Sequence, residues 1–422
     1  MSIESTPPAA RQPLKPLDLA LAELLHHAMP LVATETVSTF EADGRVLAQD
    51  LVSSLDVPAH DNSSMDGYAV RTSDWTHSTT PLQVNQRIPA GSSGLPLAPA
   101  SAARIFTGAP IPPGADAVVM QEDCMVTAAE GSAPVVRLAV QPQPGQWIRR
   151  RGEDVAAGDV VLRRGERLTP ASLGLAASIG FDRLQVAPRV RVALFSTGDE
   201  LVMPGEVAPA DMKPGAIYNS NRFFLRALLQ RLGCSVTDLG IVPDRLDATV
   251  AALDHASRQH DLILTSGGVS VGEEDHIKPA VQTLGELNLW QIAIKPGKPF
   301  AYGKVGHGEA AAHFIGLPGN PVSSFVTFLL LVRPFILRLQ GTVDVAPKSI
   351  AIKADFTWSR PDKRREFLRV RQNPAGGLDL FDNQSSGVLT STVWGDGLVD
   401  NPAGKTIAPG DTVQFIPMTF LV

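Results

Sequence analysis

The sequence predicts a multi-domain protein that combines α/β and all-β units, with a three-layer α/β domain built on a doubly wound, mostly parallel sheet. The first observation is length, because 422 residues are several times the size of one compact domain. The second is the alternation of apolar strands and helices that begins near Arg189, which is typical of a parallel sheet covered on both faces. The third is the texture of residues 56–159 and 347–422, where Pro/Gly turns separate short β-rich runs, as in sandwiches and barrels.

Composition excludes several classes of protein. A formal net charge of −6 and a pI near 5.9 lack the basic footprint of a nucleic-acid-binding protein. Any anionic ligand must therefore be bound by local basic and backbone N–H groups. Cys124 and Cys234 lie far apart and outside any C-x-x-C pairing, so neither a disulfide framework nor a thiolate zinc site is expected. The first residues contain no apolar signal-peptide core, so we expect a cytoplasmic protein.

The elements follow in chain order. Residues 1–16 contain several prolines and predict a disordered leader. The run Leu17–Met29 has apolar residues at helical spacing and is ended by Pro30, so it predicts a helix. Residues 56–159 predict a β-rich domain with many turns, and the part from about Pro347 onward predicts a small β-barrel or sandwich.

The α/β part has a strand–helix rhythm. A strand (RVRVALFSTG) leads to a helix with Asn219 or Ser220 as N-cap and Gly233 at its C-terminus. A second strand, a helix (LDATVAALDHASRQ) and a third strand (DLILTSGG) follow, and LWQIAIKPGKP and AHFIGLPGNPVSSF supply two more strand-to-loop transitions. The apolar run Ser324–Leu339 contains an Arg-Pro pair and is too short to span a bilayer. We expect it to be a buried helix.

Glycine and polar residues follow these strands at the edge where ligands bind in doubly wound sheets. In LTSGGVSVGEEDHIK, Gly267, Gly268 and Gly272 allow backbone N–H groups to approach an oxyanion closely. Ser266 and Ser270 add hydroxyl donors to the same loop. The segment therefore predicts a binding site for a phosphorylated, anionic small molecule.

Three carboxylates, Glu273, Glu274 and Asp275, come directly after this loop. They would repel a phosphate unless a divalent metal bridged a carboxylate and the ligand oxygens, so Mg²⁺ is predicted. The alternative is a glycine turn followed by an acidic helix N-terminus, which the helix dipole favours.

Two further strand ends carry groups suited to anions. The turn IKPGKP holds Lys295 and Lys298, whose ammonium groups repel each other unless an anion lies between them. A solvated surface turn is the alternative. In GLPGNPVSSF, Pro321 is expected at the first helical position, with Asn320 as cap and Ser323 in the first turn. This pattern is either another anion site or simple capping.

Acidic residues end two other strands. Thr197, Asp199 and Glu200 follow one buried strand, and Asp244 ends the next. If these acidic strand ends face one crevice, they would suit general acid/base or metal chemistry. Structural capping of the backbone explains each of them equally well.

Outside the α/β part, three motifs place polar side chains next to glycines within apolar stretches: DNSSMDGYAV (61–70), IFTGAPIPPGADAVVMQED (105–123) and IRRRGEDV (148–155). For the basic run 149–151, a solvated edge is the alternative. No zinc-ligand spacing links the histidines, so core or surface roles are expected for His26, His27, His60 and His276.

These motifs occur together, in one order. DNSSMDGYAV, TGAPIPPGADAVVMQED, RRRGED, FSTGDEL, SGGVSVGEED, IKPGKP and LPGNPVS closely match those of the molybdopterin molybdenumtransferase family, the MoeA proteins of bacteria and the E domain of gephyrin and its plant relatives. The chain resembles this family from about Leu17 onward, more loosely in its last domain. The resemblance implies a small mixed domain (17–55 and 158–187), a β-rich lid domain inserted in it (56–157), a molybdopterin-binding α/β domain (188–341) and a C-terminal β-barrel (342–422).

The resemblance also implies an activity and an assembly. The family joins molybdate to the dithiolene of adenylylated molybdopterin and releases AMP in the presence of Mg²⁺. It forms elongated homodimers in which both subunits build each cleft. Expected partners are proteins of the molybdopterin pathway and of molybdoenzyme maturation, with no nucleic acid and no membrane.

Carried over position by position, the resemblance implies specific roles. The implied catalytic residues are Asp66, Thr107, Asp154, Glu200, Asp244, Asp275 and Lys295. The implied substrate-binding residues are Ser266, Gly267, Gly268, Ser270, Lys298, Pro299, Gly319, Asn320, Ser323, Arg369 and Ser386. Asp275 and Glu274 would hold Mg²⁺. Gln291 is a departure, because the family often has a lysine there; either that lysine is dispensable or a neighbouring cation replaces it.

Two other functions stay open. Molybdopterin adenylyltransferases share the SGG-containing α/β fold but are single small domains, so the lid and C-terminal domains distinguish them from this chain. A gephyrin-like scaffold would bind a partner peptide at the dimer interface. The intact carboxylates, lysines and glycines argue against a purely structural protein.

Overall fold

A computed structural model describes residues 13–128, 130, 133–269, 276–306, 308 and 311–421. The helices over these residues are α1 (Leu17–His27), α2 (Pro170–Ser178), α3 (Ser220–Arg231), α4 (Leu246–Ser257), α5 (Ile277–Leu284), α6 (Pro321–Thr327), α7 (Arg333–Leu339) and α8 (Thr390–Trp394).

The strands of the first half are β1 (Glu35–Ser38), β2 (Leu51–Val52), β3 (Asn62–Ser63), β4 (Gly67–Val70), β5 (Leu82–Ile88), β6 (Ser101–Ile105), β7 (Ala117–Met120), β8 (Cys124–Thr127), β9 (Val135–Leu138), β10 (Ile148–Arg149), β11 (Val160–Leu162) and β12 (Arg183–Val186). Those of the second half are β13 (Arg191–Thr197), β14 (Leu201–Val202), β15 (Ile217–Tyr218), β16 (Ser235–Val242), β17 (Leu262–Ser266), β18 (Gly285–Gln291), β19 (Ile294–Lys295), β20 (Pro299–Val305), β21 (Ala312–Leu317), β22 (Ile350–Lys353), β23 (Arg365–Gln372), β24 (Leu378–Leu380), β25 (Gly397–Asn401) and β26 (Thr412–Pro417).

The α/β domain contains a six-stranded sheet in the order β16-β13-β17-β21-β20-β18. The four strands from β16 to β21 are mutually parallel, and β20 runs antiparallel to both of its neighbours. Apolar residues fill both faces of the parallel part, because alternate residues of β13 belong to different core clusters: Val192 and Leu194 to one, Ala193 and Phe195 to the other. The predicted mostly parallel sheet, buried on both faces, is confirmed.

Helix α3 agrees with its predicted boundaries. The Asn219 side chain accepts a hydrogen bond from the Arg222 N–H, so Asn219 is the N-cap. Gly233 follows the helix with a φ of 79°, the left-handed conformation that glycine adopts most easily.

The apolar run near residue 330 forms a longer helix than expected. Helices α6 and α7 are joined without interruption by a π-helical turn, Phe328–Val332. Pro334 is the second residue after this turn, where the wider backbone hydrogen bonding accommodates a proline. The continuous helix, Pro321–Leu339, is long and apolar enough to cross a membrane, but 83% of it is buried inside the protein. It is a core helix.

The lid contains a second six-stranded sheet, in the order β7-β4-β6-β5-β9-β8. Its pairs are antiparallel except β5 with β6. Two apolar clusters cover its two faces, and neither contains a residue of the α/β domain. The lid therefore has a hydrophobic core of its own.

The small domain joins distant parts of the chain. Strand β1 pairs with β12, and β2 pairs with β11, around a core that includes Leu47, Leu168 and Val186. Helix α1 differs from the expected division of domains. Its buried residues, Leu17, Ala20 and Leu24, instead pack with α7 and the π-helical turn in the core of the α/β domain.

Strands β23, β25, β26 and β22 pair in that order in the C-terminal domain, and β24 pairs with the free side of β23. Ala354, which follows β22, bridges Leu378 of β24. This bridge closes the strands into the predicted barrel. Strand β19, from the α/β domain, pairs with β23 and joins the two domains.

Candidate active site

The carboxyl ends of four neighbouring parallel strands lie along one edge of the α/β sheet. Strands β16, β13, β17 and β21 are adjacent, so the segments that follow them are neighbours: Asp244, 198–200, 267–268 and 318–320. Strand β20 starts at the same edge, because it runs antiparallel to β21. The structure therefore brings Glu200, Asp244, the SGG loop, the LPGNP loop and Pro299 to one edge, as the pattern of strand ends indicates.

Gly267 lies at the closest approach of three loops. Its φ is 95°, and a Cβ atom there would stand 2.9 Å from the Thr197 carbonyl oxygen. Its N–H donates to the carbonyl of Leu317, and a Cβ on Gly319 would stand 4.0 Å from the Gly267 Cα. Gly268 also has a positive φ, 66°. Successive glycines in such conformations form the backbone geometry that lines anion-binding concavities.

Asn221 holds two of these loops together, and sequence reasoning missed it. Its Nδ2 donates to Ser266 Oγ at 2.7 Å and to the Gly319 carbonyl at 2.7 Å. Asn221 is 7% exposed, so it is fully committed to these contacts. The sequence feature that could have identified Asn221 is its position as a polar residue in the first turn of α3, two positions after the N-cap.

The two lysines of the IKPGKP turn have different surroundings. The Lys295 ammonium lies 3.2 Å from Glu366 Oε1 and 3.6 Å from Asp362 Oδ2. Lys298 is exposed, and its ammonium has no hydrogen bond or ion pair within the described part of the chain. Carboxylates of the C-terminal domain therefore compensate the charge of Lys295, which corrects the expectation that an anion between the lysines is required. Lys298 remains available to a ligand.

Glu366 is a second residue that sequence reasoning missed. It is 1% exposed and accepts hydrogen bonds from Trp358 Nε1 at 2.7 Å and from the Asp362 N–H at 3.1 Å. The Arg364 guanidinium hydrogen-bonds to Asp362 and holds the pKa of that carboxyl well below its usual range. Asp362, beside Lys295, is therefore ionised at neutral pH.

The LPGNP loop meets the C-terminal domain at the start of α6. Pro321 occupies the first helical position as expected, but the Asn320 side chain makes no capping hydrogen bond, which corrects its predicted role as a side-chain cap. Ser323 is buried in the first turn. The N–H of Val322 donates to the Ser386 carbonyl at 2.9 Å, so the backbone of Ser386 lies beside this turn, and its role in substrate binding stays a prediction.

Arg369 supports the Ser386 loop from inside the C-terminal domain. It is 1% exposed, and its guanidinium donates to the carbonyls of Phe367 and Ser385 and to Ser391 Oγ. Burial lowers its pKa to about 10, which leaves it charged at neutral pH. In this chain Arg369 thus orders the loop instead of lining the cleft, contrary to its expected position.

The three lid motifs come together in the structure. Strand β3 pairs with β10, and the Gly108 N–H donates to the Ser63 carbonyl. Asp66 Oδ1 accepts hydrogen bonds from the Thr107 N–H and from Thr107 Oγ1, both at 2.8 Å. These two bonds lower the pKa of Asp66. Two residues from separate motifs thus form one polar unit on the lid surface.

The basic run of the lid pairs with nearby carboxylates. Arg150 hydrogen-bonds to Asp61 at 2.7 Å, and Arg151 pairs with Asp56. Both arginines remain mostly exposed, so the alternative of a solvated edge describes them well. The side chain of Asp154 is exposed close by.

Lid and α/β residues are separate within one chain. No hydrogen bond or ion pair among the described residues joins segment 56–157 to segment 188–341. The structure therefore places Glu200, Asp244, Ser266, Gly267 and Gly319 at one sheet edge, and no hydrogen bond or ion pair among the described residues links the lid's Asp66, Thr107 or Asp154 to them.

The predicted Mg²⁺ ligands and part of the SGG loop lie outside the described residues: Ser270, Gly272, Glu273, Glu274 and Asp275. Within the described ranges, no three His, Cys, Asp or Glu side chains form a cluster that could hold a metal ion. Burial raises the pKa of both Cys124 and Cys234 to about 12, so neither supplies a thiolate at neutral pH. The described residues at the carboxyl-end edge of the α/β sheet therefore do not form a metal site by themselves.

Comparisons with known proteins match three consecutive regions of the chain. Residues 15–180 match the MoeA N-terminal region (domain I and II), residues 193–338 a probable molybdopterin binding domain, and residues 351–418 the MoeA C-terminal region (domain IV). A molybdopterin molybdenumtransferase 2 of Mycobacterium tuberculosis is 38% identical over 94% of this chain and 98% of its own length. The chain belongs to the molybdopterin molybdenumtransferase family. The resemblance of its motifs is thereby confirmed.

Two other proteins are similar to this chain, one compared by sequence and one by structure. A molybdopterin molybdenumtransferase of Haemophilus influenzae is 47% identical over 77% of this chain and 78% of its own length. The crystal structure of a molybdopterin biosynthesis MoeA protein from Pyrococcus horikoshii OT3 superposes with a TM-score of 0.80 at 28% identity, over 96% of this chain and 100% of that one. The predicted multi-domain α/β and β fold is therefore that of the family.

Gln291 stands where the resemblance to the family led us to expect a lysine. Its carbonyl accepts a hydrogen bond from the Lys15 N–H at 2.7 Å, so a cation does lie beside it in the chain. The Lys15 ammonium, however, lies 4.3 Å from the centre of the Trp290 ring and pairs with Glu23. Lys15 is also part of the predicted leader, whose residues 1–12 lie outside the described range.

Proposed function

We propose that this chain joins molybdate to the dithiolene of adenylylated molybdopterin and releases AMP. The observation that carries the proposal is the pair of glycine loops at the ends of β17 and β21, joined by Asn221. Such loops present backbone N–H groups to phosphate oxygens. The names of the curated relatives support the same activity.

Each group of the site has a task in this proposal. The Gly267 N–H donates to Leu317, so the N–H groups that follow it in this loop bind the phosphate oxygens of the substrate and stabilise the charge that develops when the phosphoanhydride breaks. Lys298, exposed and unpaired among the described residues, attracts molybdate. Lys295 lies one turn away and is held by Glu366, which fixes the position of its charge.

Mg²⁺ belongs to the proposal through Asp275 and Glu274. When bound, it would neutralise charge on the phosphoanhydride. Both carboxylates lie outside the described residues. Among the described residues, Glu200 and Asp244 are carboxylates that follow β13 and β16 at the same edge of the sheet.

We also propose a homodimer in the cytoplasm. The lid has its own core, and its Asp66–Thr107 unit makes no hydrogen bond or ion pair with α/β residues of the described chain. A polar unit of this kind is explained if it faces the α/β edge of a partner subunit. Other partners in this proposal are proteins that make molybdopterin and proteins that receive the finished cofactor.

The test is a turnover assay on the purified full chain. Adenylylated molybdopterin is incubated with molybdate and Mg²⁺, and released AMP is measured by chromatography. We expect AMP release to require molybdate and to be abolished by Asp275→Asn without loss of folding. AMP release by Asp275→Asn at the parental rate would refute the role of this carboxylate.

The same preparation distinguishes the alternative activity. Incubation with molybdopterin and ATP should yield no adenylylated molybdopterin, whereas an adenylyltransferase would form it. Formation of that product without any molybdate-dependent AMP release would overturn the proposed function. The lid and the barrel, which that single-domain family lacks, favour the first result.

A further inference from the structure

Two arginines of the lid stand side by side on one face of its sheet. Arg87 of β5 and Arg104 of β6 are register partners on these neighbouring parallel strands, which lie about 5 Å apart. Because register partners point to the same face, the two guanidinium groups share one surface. Like charges directly opposite each other on adjacent strands are destabilising, so this arrangement needs a compensating interaction.

One aromatic ring contacts both guanidinium groups. The guanidinium carbons of Arg87 and Arg104 each lie 4.5 Å from the centre of the Phe106 ring, so the two carbons are at most twice that distance apart. The Arg104 guanidinium also donates to the Gly67 carbonyl at 2.9 Å and to Gln121 Oε1 at 2.6 Å. These hydrogen bonds hold the Arg104 cation in place, and the attraction between cation and ring holds Arg87 beside it.

No carboxylate neutralises the arginine pair. The ion pairs found among the described residues of the lid join Arg71, Arg150 and Arg151 to aspartates, and none of them includes Arg87 or Arg104. In a chain with a net charge of −6, two adjacent arginines without an acidic partner create a local positive potential that attracts an anion.

The acidic groups nearby are occupied by other donors. Gln121, which accepts from Arg104, donates its amide to Glu122 at 3.2 Å, so this amide separates the carboxylate from the guanidinium. The two Thr107 hydrogen bonds lower the pKa of Asp66, and the positive charge of Arg104 lowers it further. The arginine pair therefore lies next to the Asp66–Thr107 unit.

We propose that Arg87 and Arg104 form an oxyanion-binding site on the lid, which takes either a phosphate group of the substrate or molybdate. The inference rests on the proposed function for the source of the oxyanion. Guanidinium groups bind phosphate oxygens with pairs of N–H donors. Arg87 makes no side-chain hydrogen bond among the described residues, so its donors are available to such a ligand.

The site adds positive charge to a cleft that two subunits share. In the proposed homodimer, the Asp66–Thr107 unit faces the α/β edge of the partner subunit, and the adjacent arginine pair faces the same edge. A fixed cation at this place stabilises the negative charge of the bound oxyanion and the charge that develops when the phosphoanhydride breaks.

The test follows the arginine Nε–H signals of the full-length protein by NMR during titration with inorganic phosphate. The signals of Arg87 and Arg104, assigned by their loss in Arg87→Lys and Arg104→Lys, should shift together with one dissociation constant. Arg87→Gln should raise the dissociation constant seen at Arg104 at least tenfold, because it removes charge-assisted hydrogen bonds to the ligand.

Arg137→Gln is the matched control. It removes the same charge from β9 of the same sheet, but Arg137 points to the other face. Its neighbours Val136 and Leu138 belong to the same apolar cluster as Ala102, which lies two residues before Arg104 on β6. Phosphate binding at Arg87 and Arg104 should be parental in this variant.

Titrations with molybdate and with AMP identify the source of the oxyanion. Tighter binding of molybdate assigns the site to molybdate, and tighter binding of AMP assigns it to a phosphate group of the substrate. In the turnover assay, Arg87→Gln should then raise the KM for molybdate or for adenylylated molybdopterin, respectively, by about tenfold, while Arg137→Gln should leave both KM values unchanged.

Three results would overturn the proposal: no shift of the Arg87 and Arg104 signals with phosphate, molybdate or AMP, an equal loss of affinity in Arg137→Gln, or parental KM values for both substrates in Arg87→Gln. Failure of the proposed function gives a different result. If the parent releases no AMP while the two signals still shift, the oxyanion site stands without that activity. If AMP release persists and the shifts are absent, the activity stands and only the lid site is wrong.

Discussion

Asn221 shows how much of the candidate site depends on one buried amide. Its two partners are 45 and 98 residues away in sequence. Removing the amide leaves Ser266 Oγ and the Gly319 carbonyl without the donor that joins them, in a place where little water enters. The relative position of the two loops then depends on backbone contacts alone.

Asn221→Ala should therefore reduce AMP release by at least tenfold and lower stability by about 1–3 kcal/mol. Turnover is measured by chromatography and stability by urea unfolding. Asn288→Ala, in an exposed position of β18, is the matched control and should change neither. Parental turnover in Asn221→Ala would mean that the loops keep their positions without this clamp.

Thr107 controls the ionisation of Asp66. Thr107→Val removes the Oγ1 donor but keeps the backbone N–H, so the pKa of Asp66 should rise toward its ordinary value without reaching it. A carboxyl with a lowered pKa contributes stability above its unfolded-state pKa and loses it as the pH falls through the folded-state pKa. The stability lost in Thr107→Val should therefore be fully seen at neutral pH and should disappear as the pH falls through the acidic range.

Carbon-13 NMR titration of the Asp66 carboxyl measures this shift directly. Thr107→Ser keeps the hydroxyl and should titrate like the parent. If the Asp66 carboxylate takes part in turnover, the acidic limb of the pH–rate profile moves to higher pH in Thr107→Val only. An unchanged pKa in Thr107→Val would assign the effect to the backbone N–H alone.

At the scale of elements, the turn after β17 depends on a glycine for two separate reasons. Gly267 has a φ of 95°, and a Cβ there would lie 2.9 Å from the Thr197 carbonyl oxygen. The positive φ would cost about 1–2 kcal/mol of folding stability for a residue other than glycine. The close contact between such a Cβ and the Thr197 carbonyl oxygen would force the ends of β13 and β17 apart.

Gly376→Ala separates these two costs. Gly376 has a φ of 87° but has no atom within 4 Å of a Cβ. Both alanine variants should lose the stability that the positive φ costs a residue other than glycine, and urea unfolding measures this loss. Only Gly267→Ala should also lose AMP release and a further part of the stability, because only its Cβ would meet the Thr197 carbonyl oxygen. Equal losses in the two variants would show that the loops can separate without consequence.

Helix α6 shows why element boundaries near a proline are hard to predict. A proline inside a helix usually breaks or kinks it, yet the chain stays helical as expected, and a π-helical turn precedes Arg333 and Pro334. Tertiary packing compensates for the proline, since nearly every residue of this helix is buried. The apolar composition of this run explains why it is buried. The packing of surrounding residues explains why the helix continues through Pro334.

At the scale of the whole molecule, the separation of lid and α/β edge predicts complementation between subunits. Asp66→Ala damages the lid contribution, and Lys298→Ala damages the α/β contribution. If a cleft takes its lid from the partner, a mixed dimer contains one cleft with both intact contributions and one with neither. Random pairing makes about half of the dimers mixed, so roughly a quarter of parental activity should return.

The measurement mixes the two inactive variants after dissociation and reassociation, with mixed dimers confirmed by native mass spectrometry. Each variant alone should stay inactive at every concentration. Mixed dimers without any AMP release would show that these residues act within one chain.

The sequence by itself determined the fold class and predicted the sheet edge at which the candidate site lies. Apolar periodicity distinguishes the parallel sheet from the β-rich parts, and glycine with polar residues marks the strand ends, because these are local properties of the chain. It therefore predicted Gly267, Gly319, Lys298 and the strand-end carboxylates at one edge.

Only the tertiary structure decided which side chains meet. Asn221 joins two loops, Glu366 holds Lys295, and Arg369 turns inward to support the Ser386 loop. None of these contacts is visible in spacing, because each partner comes from a distant segment whose position is fixed by sheet order and domain docking. Helix α1 likewise joins the α/β core instead of the small domain, because its apolar face packs against α7.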